Sequence, residues 1–192
     1  FLASSVAAIT GEAKPGAIVV IISLTLKSLK RTYWTGGPSG ILGIARKHGL
    51  NLDTNTSDLT WVHENGSRGY LMAAETQAQM EYLRGMEADL YILDECKSFA
   101  PEILKELLDD IILPQTITRG ARVFMIGTPG SIPAGPFYEA TCLDARRPLL
   151  DEDGFVVTRE GQPVMVPTCE RGGKGKKDSD LWQLYSWTYL DN

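Results

Sequence analysis

The stretch Leu90-Tyr91-Ile92-Leu93-Asp94-Glu95 joins four apolar residues directly to two carboxylates. An apolar run this short is too brief for a helix and is typical of a strand buried on both faces, as in a parallel sheet. In open α/β sheets, ligands bind in the crevice at the carboxyl ends of the strands. The sequence therefore places Asp94 and Glu95 where such a sheet would hold a ligand.

Two adjacent acids at a strand end suit phosphoryl transfer to water. That reaction needs a metal ion to neutralise the phosphate oxygens and an acceptor to orient the water. Because successive strand side chains point to opposite faces, Asp94 and Glu95 can take these two roles separately. The simpler interpretation is a pair of surface acids that ends a core strand.

The composition favours a globular domain with free thiols. The 192 residues have a net charge of −5, with 43% apolar and 22% charged residues. The longest apolar run, residues 17–22, is far shorter than the roughly 20 residues that span a bilayer, so we expect no membrane association. Cys96, Cys142 and Cys169 lie far apart and match neither a Cys-x-x-Cys motif nor a zinc-ligand spacing. The negative charge argues against a surface broadly coated for nucleic acid.

The apolar pattern alternates between strands and helices. Residues 17–22 and 122–126 read as strands, while residues 1–9 and 41–48 have helical spacing, with Gly11 and Gly49 as expected C-caps. Asn65-Gly66, between two apolar runs, predicts a hairpin whose type I′ turn needs positive φ at both residues. This alternation over the first 130 residues predicts an α/β fold with a mostly parallel sheet and a β-hairpin excursion.

We expect residues 1–192 to form a single domain in which residues 151–180 are an excursion. Residues 155–158 and 164–166 predict a second hairpin within that excursion, and the Gly/Lys-rich residues 171–180 predict a mobile loop.

A second motif, Gly127-Thr128-Pro129-Gly130, follows the next predicted strand. If the two strands are neighbours, Thr128 lies beside the γ-phosphate position, where its hydroxyl can sense the phosphate or polarise the water. The glycines and the proline fix a tight turn. Taken alone, the motif is simply a turn after a strand.

Three basic features have weaker sequence support. Arg84-Gly85 lies ten residues before Asp94, and an arginine can stabilise transition-state charge in cis or from a neighbouring subunit. Two basic patches, one of Lys27, Lys30 and Arg31 and the other of Lys174, Lys176 and Lys177, can meet DNA phosphates. A solvated surface is the simpler interpretation for all three.

The phosphate-binding loop G-x-x-x-x-G-K-[ST] does not occur in the sequence. Residues 11–16 have its glycine spacing, but Ala17 and Ile18 replace the required Lys and Ser/Thr. The Gly-Lys pairs of residues 172–176 are not followed by Ser or Thr and precede no helix-forming segment.

The order of these motifs resembles the ATPase domain of tailed-phage terminase large subunits, the motors that package DNA into capsids. The resemblance spans nearly the whole chain. It rests on the strand of residues 17–22, the Asn65-Gly66 hairpin, Arg84-Gly85, residues 90–95, residues 127–130, Gly135-Pro136-Phe137-Tyr138 and residues 187–192.

The resemblance implies a three-layer P-loop NTPase fold of the RecA/ASCE type, with helices on both faces of the sheet. It implies that Asp94 is the Walker B acid that holds Mg²⁺, and that Glu95 is the catalytic carboxylate acting on ATP. Gly127 and Thr128 would belong to the motif that couples hydrolysis to movement. Arg84 matches a position proposed to act on the ATP of a neighbouring subunit.

The resemblance also implies partners and a location. These are double-stranded DNA, a homo-oligomeric ring, the portal protein and the small terminase subunit, in a host cytoplasm with transient docking on the procapsid. The family's first strand and Walker A loop would precede Phe1, and its nuclease domain would follow Asn192. We expect a fragment without that strand to have a gap in the middle of its sheet and to hydrolyse ATP poorly.

Two other interpretations remain open. A DExH-type helicase or translocase would also use Asp94 and Glu95, but such enzymes usually have Ser/Thr-Ala-Thr where this chain has Gly127-Thr128-Pro129. A non-catalytic domain with a degenerate nucleotide site would account for the missing phosphate loop.

Overall fold

The computed structural model describes residues 2–35, 37–128, 134–143, 145–152, 155–167 and 182–183. They fall into two compact units, residues 1–128 and residues 129–192, which are described separately. The expectation of a single domain therefore stays a prediction. No helix in the described ranges is both long and apolar enough to cross a membrane.

The first unit is built on a six-stranded sheet of order β2-β3-β4-β1-β5-β6. Strands β4, β1, β5 and β6 are parallel, whereas β3 runs antiparallel to both β4 and β2. The predicted mostly parallel α/β fold is confirmed. The strands are β1 (Ile18–Ser23), β2 (Leu52–Asn55), β3 (Thr60–His63), β4 (Arg68–Ala73), β5 (Leu90–Leu93) and β6 (Arg122–Met125).

The helices of this unit alternate with the strands. They are α1 (Leu2–Ala13), α2 (Leu26–Leu29), which continues as a π-helical turn (Lys30–Trp34), α3 (Ile41–His48), α4 (Gln77–Leu83), α5 (Pro101–Glu106), its π-helical continuation (Leu107–Ile112) and α6 (Leu113–Arg119). Short 3-10 turns occupy Gly37–Ser39 and Cys96–Ser98.

The strongest sequence signals lie at the centre of the sheet. Strands β1 and β5 are the β-branched and apolar runs, and β5 is buried along its whole length. Side chains of one face, including Val19 and Ile92, pack with Ala3 and Ala7 of α1. On the opposite face, the Tyr91 hydroxyl reaches Gln115 of α6. Helices therefore cover both faces, as a parallel sheet requires.

The described strands form one continuous sheet, and the expected gap left by a missing strand stays a prediction. Strand β5 pairs directly with both β1 and β6. The ladder between β5 and β6 runs from Leu90↔Arg122 to Leu93↔Met125. Strand β6 is an edge of the described sheet, and its Phe124 is 38% exposed.

The Asn65-Gly66 hairpin forms, but its predicted type I′ turn is wrong. Only Gly66 has positive φ, and Gly66 N donates to His63 O at 2.9 Å, as in a three-residue loop that ends in a left-handed glycine. Asn65 instead serves α1, since its Nδ2 donates to Gly11 O at 2.9 Å. Ser67 Oγ donates to the same carbonyl at 2.7 Å.

These contacts explain a second correction, which concerns Gly11. This residue was expected to end the first helix, but α1 continues to Ala13. The hairpin accounts for the extension because Asn65 and Ser67 both donate to the Gly11 carbonyl in the last turn of α1. By contrast, Gly49 ends α3 in the left-handed conformation, as predicted.

Two further features fix the first unit. Thr76 and Gln79 form a reciprocal capping box at the start of α4. Trp61 of β3 lies over Gly69 of β4, its cross-strand partner, so that a Cβ at residue 69 would overlap the indole ring.

The second unit contains short elements. They are α7 (Pro136–Tyr138), a π-helical turn (Glu139–Leu143), β7 (Ala145–Pro148), β8 (Thr158–Arg159), β9 (Gln162–Pro163), β10 (Met165–Pro167) and β11 (Trp182–Gln183). Strands β8 and β9 form a hairpin in this region, but it is shorter than predicted, and Met165 and Val166 pair with β7 instead. Its turn residues Glu160 and Gly161 both have positive φ. The predicted loop of residues 171–180 lies outside the described residues.

Candidate functional site

The motif that contains the two acids and the motif that contains the threonine lie at the same edge of the sheet. Strands β5 and β6 are parallel neighbours, so Asp94-Glu95 and Gly127-Thr128 both follow carboxyl ends. Ile126 N donates to Leu93 O at 2.8 Å, which extends the pairing to the start of both motifs. The structure therefore brings together the predicted residues Asp94, Glu95, Gly127 and Thr128.

Glu95 has a strained backbone conformation at this edge. Its φ of 53° lies in the left-handed region, which a residue other than glycine, asparagine or aspartate rarely adopts. The hydrogen bonds on either side of Glu95 go to different strands: Asp94 N donates to Ile22 O at 2.8 Å, and Cys96 N donates to Ile126 O at 3.0 Å. The chain thus turns sharply at Glu95, whose side chain is exposed. Strain of this kind is frequent at functional sites.

Asp94 lies in a less polar environment than its neighbour. Burial raises the pKa of the Asp94 carboxyl, a hydrogen-bonding interaction with the Tyr33 hydroxyl opposes that rise, and the negative charge of Glu95 adds to it. Tyr33 is buried, and burial together with Asp94 raises the pKa of its phenol, which stays protonated as a donor. Asp94 is therefore a half-buried carboxylate with the Tyr33 hydroxyl nearby.

The residues around these acids differ in exposure. Cys96 is buried, its Sγ lies 3.3 Å from Leu93 O, and burial raises the pKa of its thiol to about 12. This environment keeps Cys96 protonated and suits packing rather than nucleophilic chemistry. Thr128 is exposed and Gly127 is half-buried. Pro129 and Gly130, the remainder of the second motif, lie outside the described residues.

Arg84 lies away from this edge. Helix α4 leads from the carboxyl end of β4 back to the start of β5, and Arg84 caps its far end. The Arg84 guanidinium donates to Glu81 at 3.0 Å and to Asp110 O at 2.9 Å. Within one chain the structure does not bring Arg84 to Asp94 or Glu95, so its predicted role stays a prediction that would require a neighbouring subunit.

The donor set at the carboxyl edge fits Mg²⁺ that shares its coordination with phosphate and water. Among the described residues, no group of three or more His, Cys, Asp or Glu side chains could hold a metal. Mg²⁺ is commonly bound by one or two carboxylates and by substrate phosphates. Asp94 and Glu95 supply two carboxylates whose mutual repulsion a divalent cation would relieve.

Two structural roles had no clear sequence signal. Tyr33 occupies the apolar face of the helix that follows β1, and nothing local indicates that it meets Asp94, 61 residues later. At the opposite edge of the sheet, Asp89 receives hydrogen bonds from Lys14 Nζ at 2.7 Å, Ile18 N at 2.8 Å and Arg119 Nη1 at 2.8 Å. Asp89 ties the loop after α1 to β1 and α6, and it lies outside the candidate site.

No protein-family model matches this chain, and no curated protein matches it.

Comparison by structure finds phage terminases. The ATPase domain of the large terminase of Thermus phage P74-26 matches 88% of this chain with a TM-score of 0.58 at 19% identity, and the match covers 67% of that domain. A point mutant of the same domain gives a TM-score of 0.59 at 18% identity, with coverages of 88% and 68%.

The large terminase of another thermophilic bacteriophage matches 67% of this chain, with a TM-score of 0.51 at 13% identity. This chain spans 30% of that longer protein. At these identities the similarity concerns the fold, and the chain has the fold of phage large terminase ATPase domains.

Proposed function

We propose that this chain is the ATP-hydrolysing part of a motor that moves double-stranded DNA, as in terminase-driven packaging. One observation carries the proposal: Asp94-Glu95 and Gly127-Thr128 follow neighbouring parallel strands at one sheet edge, in a chain with the terminase ATPase fold. A pair of surface acids would not need the left-handed backbone at Glu95 or the buried hydroxyl beside Asp94.

The two acids differ in environment as the two roles in hydrolysis require. Asp94, half-buried with the Tyr33 hydroxyl near it, is suited to contact a Mg²⁺–phosphate group. Mg²⁺, when bound, neutralises charge on the phosphate oxygens. Glu95 is exposed and projects from a sharp turn, where its carboxylate can accept a hydrogen bond from the attacking water. Thr128 lies after the adjacent strand, where its hydroxyl can report the presence of phosphate to the segment that follows it.

Arg84 would act between subunits in this proposal. It faces away from the acids of its own chain, so a contribution to hydrolysis requires a ring in which it reaches the ATP of a neighbour. Its hydrogen bonds to Glu81 and Asp110 would have to rearrange for that contact. The portal protein, the small terminase subunit and docking on a procapsid in the host cytoplasm belong to the same proposal and follow from the family resemblance alone.

Glu95→Gln tests the hydrolytic role directly. The natural gene product that contains this chain is assayed for Mg²⁺-dependent phosphate release and for binding of a fluorescent ATP analogue. We expect turnover to fall by at least about 10²-fold, since an essential water-orienting base is lost, while nucleotide binding is retained. Glu102→Gln, which neutralises an exposed glutamate at the start of α5, is the matched control and should leave both unchanged.

The outcome also separates the alternatives. Turnover retained in Glu95→Gln would remove Glu95 from its role, and absence of nucleotide binding in the wild-type protein would favour a degenerate site. Strand separation by the wild-type protein would favour a helicase. The 192-residue chain by itself should hydrolyse ATP poorly, because its sequence has no G-x-x-x-x-G-K-[ST] loop to hold the phosphates.

A further inference from the structure

Charge is distributed unevenly along the first unit. Residues 13–52 contain six Lys and Arg residues and no Asp or Glu, although the whole chain has 24 acids and a net charge of −5. A solvated globular surface normally mixes both signs. A strongly one-signed segment in an acidic chain indicates a surface that meets an anionic partner.

The cations of the helix that follows β1 occupy its exposed side. Leu29, Tyr33 and Trp34 of this helix are buried in the core. Lys27, Lys30 and Arg31 are exposed. Residues three and four positions apart lie on the same side of a helix, so these three cations form one cluster about 6 Å long.

Helix α3 adds two further cations on the same side of the sheet. Its Ile41 packs in the core cluster that also contains Leu29 and Tyr33, so the two helices share one face of the sheet. Arg46 and Lys47 are exposed in the last turn of α3. We call the five residues Lys27, Lys30, Arg31, Arg46 and Lys47 the basic face.

The basic face is not neutralised by the protein itself. Among the described residues, no carboxylate lies within 4.0 Å of any of its five cations. Some other cations of the same unit are paired, as with Lys14 and Asp89 at 2.7 Å and Arg119 and Asp89 at 2.8 Å. The remaining exposed cations of the unit, Arg68, Lys97 and Arg122, lie on three separate elements, whereas the basic face has five cations on two helices.

We infer that the basic face binds the phosphate backbone of duplex DNA. The inference rests on the proposed function, in which duplex DNA is the moving substrate. The position of Lys27, Lys30 and Arg31 supports it, because α2 begins just after the carboxyl end of β1, at the sheet edge that holds Asp94 and Glu95. Arg46 and Lys47 lie at the end of α3, which leads into β2 at the opposite edge. Lysine and arginine contacts to phosphate do not depend on sequence, as a motor that moves any DNA requires.

The test is the salt dependence of DNA binding. With five phosphate contacts, the basic face contributes at most about −4.5 to the slope of log K against log[salt]. The variant Lys27→Gln/Lys30→Gln/Arg31→Gln should reduce the magnitude of the slope by about 2.7, equivalent to up to about 500-fold weaker binding at 0.1 M salt. A second variant, Arg46→Gln/Lys47→Gln, should reduce it independently by about 1.8.

A matched control removes the same charge elsewhere on the unit. It replaces three exposed cations outside the basic face, namely Arg68, Lys105 and Arg122, with glutamine. We expect binding of a 30-base-pair duplex by the natural gene product to keep the wild-type slope in this variant. Equal loss of slope in the control and the basic-face variants, or no loss in either, would overturn the inference.

The inference and the proposed function can fail separately. Glu95→Gln leaves the basic face intact and should bind DNA with the wild-type salt slope. If the wild-type protein lacks ATP hydrolysis but both basic-face variants lose slope, the proposed function fails and the DNA surface stands. If Glu95→Gln behaves as proposed but neither basic-face variant changes the slope, the DNA surface fails alone.

Discussion

Removing the Asp89 carboxylate should destabilise the first unit by breaking its contacts at the amino edge of the sheet. The side chain is only 5% exposed, yet it accepts hydrogen bonds from Lys14, Ile18 and Arg119. Hydrogen bonds to charged groups are worth about 1.5–3 kcal/mol each. The side chains of Lys14 and Arg119 are 59% and 35% exposed, so hydrogen bonds to water replace much of what they lose when the carboxylate is removed. We therefore expect Asp89→Ala to cost about 2–4 kcal/mol in total.

Asp89→Asn separates charge from hydrogen bonding. The amide oxygen can still accept from Ile18 N, so the expected cost is smaller, about 1–2 kcal/mol. The assay is urea-induced unfolding of the 192-residue chain, followed by far-ultraviolet circular dichroism at pH 7. Asp53→Asn, at an exposed aspartate of β2, is the control and should change the free energy of unfolding by less than about 0.5 kcal/mol. An Asp89→Ala midpoint equal to that of the wild type would refute the reasoning.

The same contacts predict a pH dependence. Burial alone would raise the pKa of Asp89, but the hydrogen bonds from Lys14 and Ile18 and the charge of Arg119 outweigh burial and lower it. A carboxyl whose pKa is lower in the folded state stabilises the fold above its unfolded pKa of about 3.9, and this contribution is lost as the pH falls through the folded value. As the pH is lowered from about 5, the free energy of unfolding of the wild-type chain should therefore fall more than that of Asp89→Asn. Parallel pH profiles for the two proteins would contradict this assignment.

Three further substitutions test local features of the first unit by urea unfolding. Gly69→Ala should cost about 1–3 kcal/mol because its Cβ would displace the Trp61 ring. The control Gly85→Ala should not destabilise the unit, because no atom lies within 4 Å of the new Cβ. Equal unfolding midpoints for the two variants would exclude the clash. Glu95→Gly should raise the free energy of unfolding by about 1 kcal/mol, because glycine adopts positive φ without strain. The same variant should abolish ATP turnover, because the carboxylate is lost. An unfolding midpoint below that of the wild type would contradict strain at Glu95. Ser67→Ala should cost about 1–2 kcal/mol because the hydroxyl loses its hydrogen bonds to the Gly11 and Lys14 carbonyls. A wild-type midpoint would show that water replaces these hydrogen bonds.

Local pattern was enough to predict the elements at the centre of the sheet. Strands β1 and β5 are apolar runs that only a doubly covered sheet can bury, and the left-handed Gly49 ends α3 as expected. The placement of Asp94 beside Thr128 also followed, because the carboxyl ends of adjacent parallel strands meet at one edge. Strand β2 was not predicted, since Leu52–Asn55 is mostly polar and exposed and is held as a strand by its pairing with β3.

Contacts between distant segments were beyond the reach of sequence patterns. Asp89 looks like an ordinary acid before a strand, yet its partners come from the loop after α1, from β1 and from α6. Tyr33 fits an apolar helix face equally well with or without Asp94 opposite it. Asn65-Gly66 has the sequence of a type I′ turn, but Asn65 does not have the positive φ of that turn. Its side chain instead donates to the Gly11 carbonyl in the last turn of α1.

The bond between the hairpin and α1 has a consequence for the order of folding during synthesis. Gly11 lies 54 residues before Asn65 and 56 residues before Ser67, whose side chains bind its carbonyl. At about 5–20 residues per second, a ribosome would need about 3–11 s to synthesise the intervening chain. During that time the Gly11 carbonyl has only water as a hydrogen-bond donor, and the contacts from Asn65 and Ser67 form after the β3–β4 hairpin has emerged and folded.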